Sequence, residues 1–130
     1  GLSYEIFTVS SSNEIQTVVE SMVGRVDAIY APTDNTIAAG MSTVSMVATD
    51  NGLPIICGEA GMVEAGGLAT YGIDYYQLGY LAGEMAVSIL RGETTAAEPP
   101  IGYLDASLCE LTVNEETAAA LGIDLSLLEQ

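Results

Sequence analysis

Short apolar runs rich in β-branched residues alternate along this chain with longer stretches whose apolar residues recur every three or four positions. This alternation restricts the fold more than any other feature. Residues 4–9, 26–31, 53–57, 68–73 and 102–113 read as extended segments. The run 53–57 is apolar throughout, as expected of a strand buried on both faces. Between the extended segments lie helices. Ser11 and Glu14 have capping-box spacing and open a helix whose Ile15, Val18, Val19 and Met22 form one face, closed by Gly24. Pro32 ends the second strand, and Thr33 or Asp34 can cap a helix marked by Ile37, Met41, Val44 and Val47 that stops near Asn51 and Gly52. Asp74 and Gln77 repeat the capping-box spacing ahead of a helix over 75–91, and Asn114 caps a short one over 115–121 backed by Gly122. Residues 60–67 read as an irregular Gly-rich loop, 93–100 as a linker and 124–130 as a tail. Strands and helices in this order predict an α/β architecture: three layers, a mostly parallel sheet, helices on both faces.

Charge narrows the partners. The 130 residues carry 18 acidic and 2 basic side chains, a net charge of −16, so nucleic acid and anionic membrane surfaces are excluded as partners. Apolar residues make up 49%, too many for a disordered chain. No stretch is both uncharged and apolar over a membrane-spanning length, and no basic segment followed by an apolar one opens the chain, so no signal peptide is expected within it. Histidine is absent, which removes the commonest general base and transition-metal ligand. Cys57 and Cys109 fit neither a zinc pattern nor a redox pair and read as buried small residues, a disulfide between them being the alternative. No Gly-rich phosphate loop, nucleophile elbow or metal motif is present, so neither a cofactor nor an enzymatic activity is expected.

In a parallel sheet ligands bind beyond the carboxyl ends of the strands. Asp34, Glu59 and Asp74 each follow a strand within a few residues. They read either as a carboxylate-lined cleft for a cationic group such as an α-ammonium, or, for Asp34 and Asp74, as helix caps. Glu59 sits in a Gly-bounded loop that needs no cap, which favours function. Asn35, Thr36 and the amides of the second helix offer an anion site, opposed by Asp34 unless the ligand is a zwitterion. Tyr76 and Tyr80, one turn apart, suit packing against another domain better than a ligand platform.

Val26-Asp27-Ala28-Ile29-Tyr30-Ala31-Pro32-Thr33-Asp34-Asn35-Thr36-Ile37-Ala38 resembles the solute-binding proteins of a bacterial ABC-transporter family, the type I periplasmic-binding-protein-like group that includes binders of tryptophan and related aromatic amino acids. The resemblance continues through Pro54-Ile55-Ile56-Cys57-Gly58-Glu59, Gly67 to Gly79, Ile89 to Glu93, Leu111 to Asn114 and Ala118 to Ile123. It implies two α/β lobes with a small solute, an amino acid, held between them. Residues 1–123 would be most of the second lobe, lacking its first strand and helix, with the 75–91 helix packing on the other lobe. It implies Thr33, Asp34 and Asn35 in one cleft loop, Glu59 in a second facing the ligand's ammonium, and Asp74 at a crossover. It further implies an ABC permease as partner and a lipoprotein anchored in the periplasmic or extracellular space. In a chain without the other lobe, the apolar face with Tyr76 and Tyr80 would fold back, pair with another copy so that the chain self-associates, or stay exposed as a sticky patch. A ligand-sensing domain of a regulatory or signalling protein would share the fold.

Overall fold

The computed structural model describes residues 1–98 and 101–128. Four short strands, β1 (Ile29–Ala31), β2 (Ile55–Cys57), β3 (Ala69–Gly72) and β4 (Glu110–Val113), form one sheet in the order β1-β2-β3-β4. β1 pairs with β2 and β2 with β3 in parallel, with Ile29 opposite Ile55, Ala31 opposite Cys57 and Ile56 opposite Ala69. Parallel neighbours need a crossover, and the helical stretches supply it. The helices are α1 (Ile15–Met22), α2 (Asn35–Ala39), α3 (Met41–Asp50), α4 (Ala60–Glu64), α5 (Tyr75–Leu90) and α6 (Glu115–Leu121). This is the α/β class that the alternation predicts.

The chain divides into two compact units, one made of Gly1–Tyr71 and the chain from Leu111 onward, the other of Gly72–Glu110. In the first, Ile15 and Val19 of α1 meet Met41, Val44, Val47 and Ala48 of α3 over Ile29, Ala31, Ile55 and Cys57, with Met62 and Val63 of α4 closing the cluster. Side chains alternate across a strand, so Tyr30 and Ile56 point to the opposite face. The 53–57 run is therefore buried on one side only, Ile56 remaining 42% exposed. A smaller cluster joins Leu68, Ala69 and Ala118, with Val113, Ile123 and Leu125 against it. Asn114 locks α6 in place: its Nδ2 donates to the Val63 carbonyl at 3.0 Å, its backbone amide donates to Leu68 O at 2.9 Å, and its Oδ1 caps the Thr117 amide.

Several elements depart from expectation for reasons beyond local sequence. Residues 4–9 have strand composition but join no ladder among the described residues; Val9 packs on the core, while Tyr4 and Ile6 stay exposed. Arg25 pairs with Glu5 and lies over the Phe7 ring, 5.0 Å from its centroid. The Ser11 hydroxyl makes no cap bond; a 3-10 turn over Ser12–Glu14 precedes α1, and Glu14 accepts from the Ser10 amide. The single helix predicted after Pro32 is broken at Gly40, where a Cβ would overlap the Ile15 side chain. Glycine there lets α1 settle against the α2–α3 junction. Residues 60–67, expected to be irregular, hold α4. Of the extended stretch 102–113 only β4 is a strand, and Ala106–Leu108 is a 3-10 turn capped by Asp105. Within the expected tail Leu125–Leu128 forms a 3-10 turn. The linker's Pro99 and Pro100 and the terminal Glu129 and Gln130 lie outside the described residues.

The second unit is dominated by α5. None of its 16 residues is buried, and Tyr75, Tyr76, Tyr80, Val87 and Leu90 are exposed. Gly102 lies against the Leu81 and Met85 side chains of the same unit. Among the described residues no helix is long and apolar enough to cross a membrane.

Candidate functional site

β1 and β2 end side by side because they are parallel and in register. The ladder continues one residue past β2, the Gly58 amide donating to Ala31 O at 2.8 Å. Beyond that point the chains leave the sheet as two loops, Pro32-Thr33-Asp34 and Gly58-Glu59, and these loops touch. A Cβ on Gly58 would fall 2.5 Å from Thr33 Oγ1 and 2.6 Å from the Thr33 amide nitrogen. Thr33, Asp34, Asn35 and Glu59 are thus gathered at the carboxyl ends of two adjacent strands, where an α/β sheet binds ligands. Thr33, Asp34 and Asn35 are exposed, and Glu59 is half-buried.

The two acids are held in the same manner. Asp34 Oδ1 accepts from the Thr36 amide at 2.8 Å and the Ile37 amide at 3.0 Å, capping α2. Glu59 Oε2 accepts from the Gly61 amide at 3.1 Å, capping α4. The expectation that Glu59 needs no cap is corrected by α4, which starts at the next residue. In each carboxylate the other oxygen, Asp34 Oδ2 or Glu59 Oε1, accepts no hydrogen bond among the described residues and is free to take a donor. The expected anion site at the start of α2 is also corrected: Asp34 itself occupies its amides. The free carboxylate oxygens left at these strand ends are acceptors, which suit a cation or a polyhydroxylated group, and Thr33 and Asn35 beside them can donate as well as accept.

Asp74 belongs to the second unit, where its Oδ1 caps α5 through the Tyr76 amide at 2.8 Å and the Gln77 amide at 3.1 Å. All three acids singled out in the sequence are therefore helix caps.

Cys57 ends β2 on the core side, and a Cβ on Gly67 would collide with its sulfur. It is a free thiol, as is Cys109, which is half-buried where the sequence reading expects it buried. Burial, reinforced by the Glu59 carboxylate, pushes the Cys57 thiol up to about 11. The thiolate is the nucleophile, so Cys57 is expected to be inert to iodoacetamide at neutral pH. Its alkylation should still be rising as pH passes from 8 to 10, which peptide mass mapping of the native protein reads directly. A plateau reached by pH 9 would contradict this burial.

The chain belongs to the ABC transporter substrate binding protein family, whose model matches residues 1–127. It is 43% identical over 121 residues to a tyrosine-binding protein of Clostridioides difficile (strain R20291), covering 92% of this chain and 34% of that protein. Among solved structures it resembles an ABC domain in complex with L-Trp from Streptococcus pneumonia, at 39% identity and a TM-score of 0.83, over 99% of this chain and 43% of that one. It also resembles the ligand-free, open structure of a substrate binding protein with adhesive properties from Clostridium difficile. There the identity is 42% and the TM-score 0.69, over 89% of this chain and 38% of the other. The chain thus spans well under half the length of these relatives, which are binding proteins.

Proposed function

We propose that this chain forms part of one lobe of a solute receptor that delivers an amino acid, with an aromatic side chain, to an ABC permease. The receptor acts in the periplasmic or extracellular space as an anchored lipoprotein. Asp34 and Glu59 take the ligand's ammonium between them, Thr33 and Asn35 supply further polar contacts, and Asp74 marks the crossover to a second lobe. The ligand bridges the two lobes and favours the closed form by binding it more tightly than the open one. No bond of the solute is made or broken.

The observation that carries this reading is the contact of the Thr33 and Gly58 loops, which puts two acids with free acceptor oxygens at neighbouring strand ends. The relatives named for tyrosine and crystallised with L-Trp support the ligand class. The separation of Gly72–Glu110 as its own unit, with α5 unburied, supports a helix whose partner is the other lobe. In a chain lacking that lobe the exposed Tyr76 and Tyr80 face pairs with a second copy.

The test is calorimetry with L-tryptophan and L-tyrosine on the intact receptor. Asp34→Asn and Glu59→Gln are each expected to weaken binding at least tenfold, about 1.4 kcal/mol, the lower end for a hydrogen bond to a charged group. Unchanged affinity in both variants would remove the two acids from the site.

A further inference from the structure

We infer that Gly58 is a positioning residue of the ligand site, the residue whose missing side chain sets the spacing between its two loops. The inference rests on the proposed function. Three backbone or side-chain atoms crowd the place where a Cβ would stand: Thr33 Oγ1 at 2.5 Å, Thr33 N at 2.6 Å and the Pro32 carbonyl carbon at 3.0 Å. A rotation of the Thr33 side chain relieves only the first. The other two are main chain, so any larger residue has to push the Pro32-Thr33-Asp34 loop away from β2. Gly58 makes no use of a left-handed backbone, since it is absent from the glycines of positive φ. Its requirement is therefore one of space, not of conformational freedom.

That displacement acts on the two acids at once. Asp34 follows Thr33 directly, and Glu59 follows Gly58. Each carboxylate is tied to the first turn of its own helix by hydrogen bonds of 2.8–3.1 Å, so each moves with its loop. Pushing the loops apart leaves both carboxylates intact and capped but separates them from one another. A ligand gripped by both then loses one contact, and sites of this kind lose most of their grip to displacements of about 1 Å. Gly58 itself adds no side chain to the core under α1 and α3, to which the preceding Cys57 belongs.

The experiment compares Gly58→Ala with Ala48→Gly in the intact receptor. Ala48 is fully buried in α3, away from the loops, and its loss supplies a destabilised but undisplaced reference. For each variant the thermal midpoint without ligand and the affinity for L-tryptophan and L-tyrosine are measured. Gly58→Ala is expected to fold, with native far-ultraviolet dichroism, and to bind at least tenfold more weakly than wild type. Ala48→Gly is expected to melt lower and to bind within twofold of wild type. Wild-type affinity in Gly58→Ala overturns the positioning role and leaves the proposed function standing. Equal loss of affinity in Ala48→Gly, or failure of Gly58→Ala to fold, also overturns it by making Gly58 a stability residue. A wild-type receptor that binds neither amino acid overturns the proposed function and this inference with it.

Discussion

Expressed alone, the 130-residue chain is expected to bind L-tryptophan or L-tyrosine at least about a hundredfold more weakly than the intact receptor, a loss of about 2.7 kcal/mol. The acceptor oxygens of Asp34 and Glu59 sit on loops that are exposed or half-buried, and an exposed ion pair contributes only about 0–1 kcal/mol. The same pair becomes strong once water is excluded, which a second wall over the strand ends would do. Titration of the chain and of the intact receptor under the same conditions checks this. Equal affinities would show that one lobe holds the ligand unaided and would sink the two-lobe reading. Dichroism of the chain in the same buffer separates weak binding from loss of fold.

Met41→Ala is expected to be a strongly damaging core truncation, lowering the unfolding free energy by about 2–5 kcal/mol in denaturant titration. Met41 has no exposed surface, and it begins α3 directly after the break at Gly40. It also approaches Gly67, whose position a Cβ would bring to 3.4 Å from Met41 Cε. The thioether thus fills the junction where α1, α3 and the turn after α4 converge, and its removal leaves a cavity that no neighbouring backbone can easily close. A measured loss below about 1 kcal/mol would mean that this junction relaxes around the gap, contrary to the packing described.

How far the sequence could be read depended on how local the cause was. α5 and its Asp74 cap were legible because a cap acts within a few residues of the helix it opens. Asn114 and Gly122 bracket α6 for the same reason. Residues 4–9 misled because a strand needs a neighbour, and no local pattern states whether one is present. The side chain that fills the place of a Cβ at Gly40 comes from 25 positions away, and the continuous Ile37, Met41, Val44 and Val47 pattern gives no sign of the break there. α4 was hidden by its brevity and by Gly58, Gly61, Gly66 and Gly67 around it. With α4 unseen, Glu59 could not be recognised as a cap. The neighbourhood of the proposed site was legible to the level of loops: parallel strands carry Thr33, Asp34, Asn35 and Glu59 to the same end of the sheet. The contact between Thr33 and the empty side of Gly58 was not, because it depends on two backbones meeting across the sheet edge.

The capping of α2 and α4 by the same acids that face the proposed ligand has a consequence for affinity. A carboxylate already tethered to backbone amides has surrendered its torsional freedom during folding, and for glutamate that freedom is worth up to about 1.5–2 kcal/mol. An arriving ammonium therefore meets acceptors that are already aimed, and little rotational entropy remains to be lost on capture. Capture at such a surface would therefore give up less affinity to ordering than capture by freely rotating side chains.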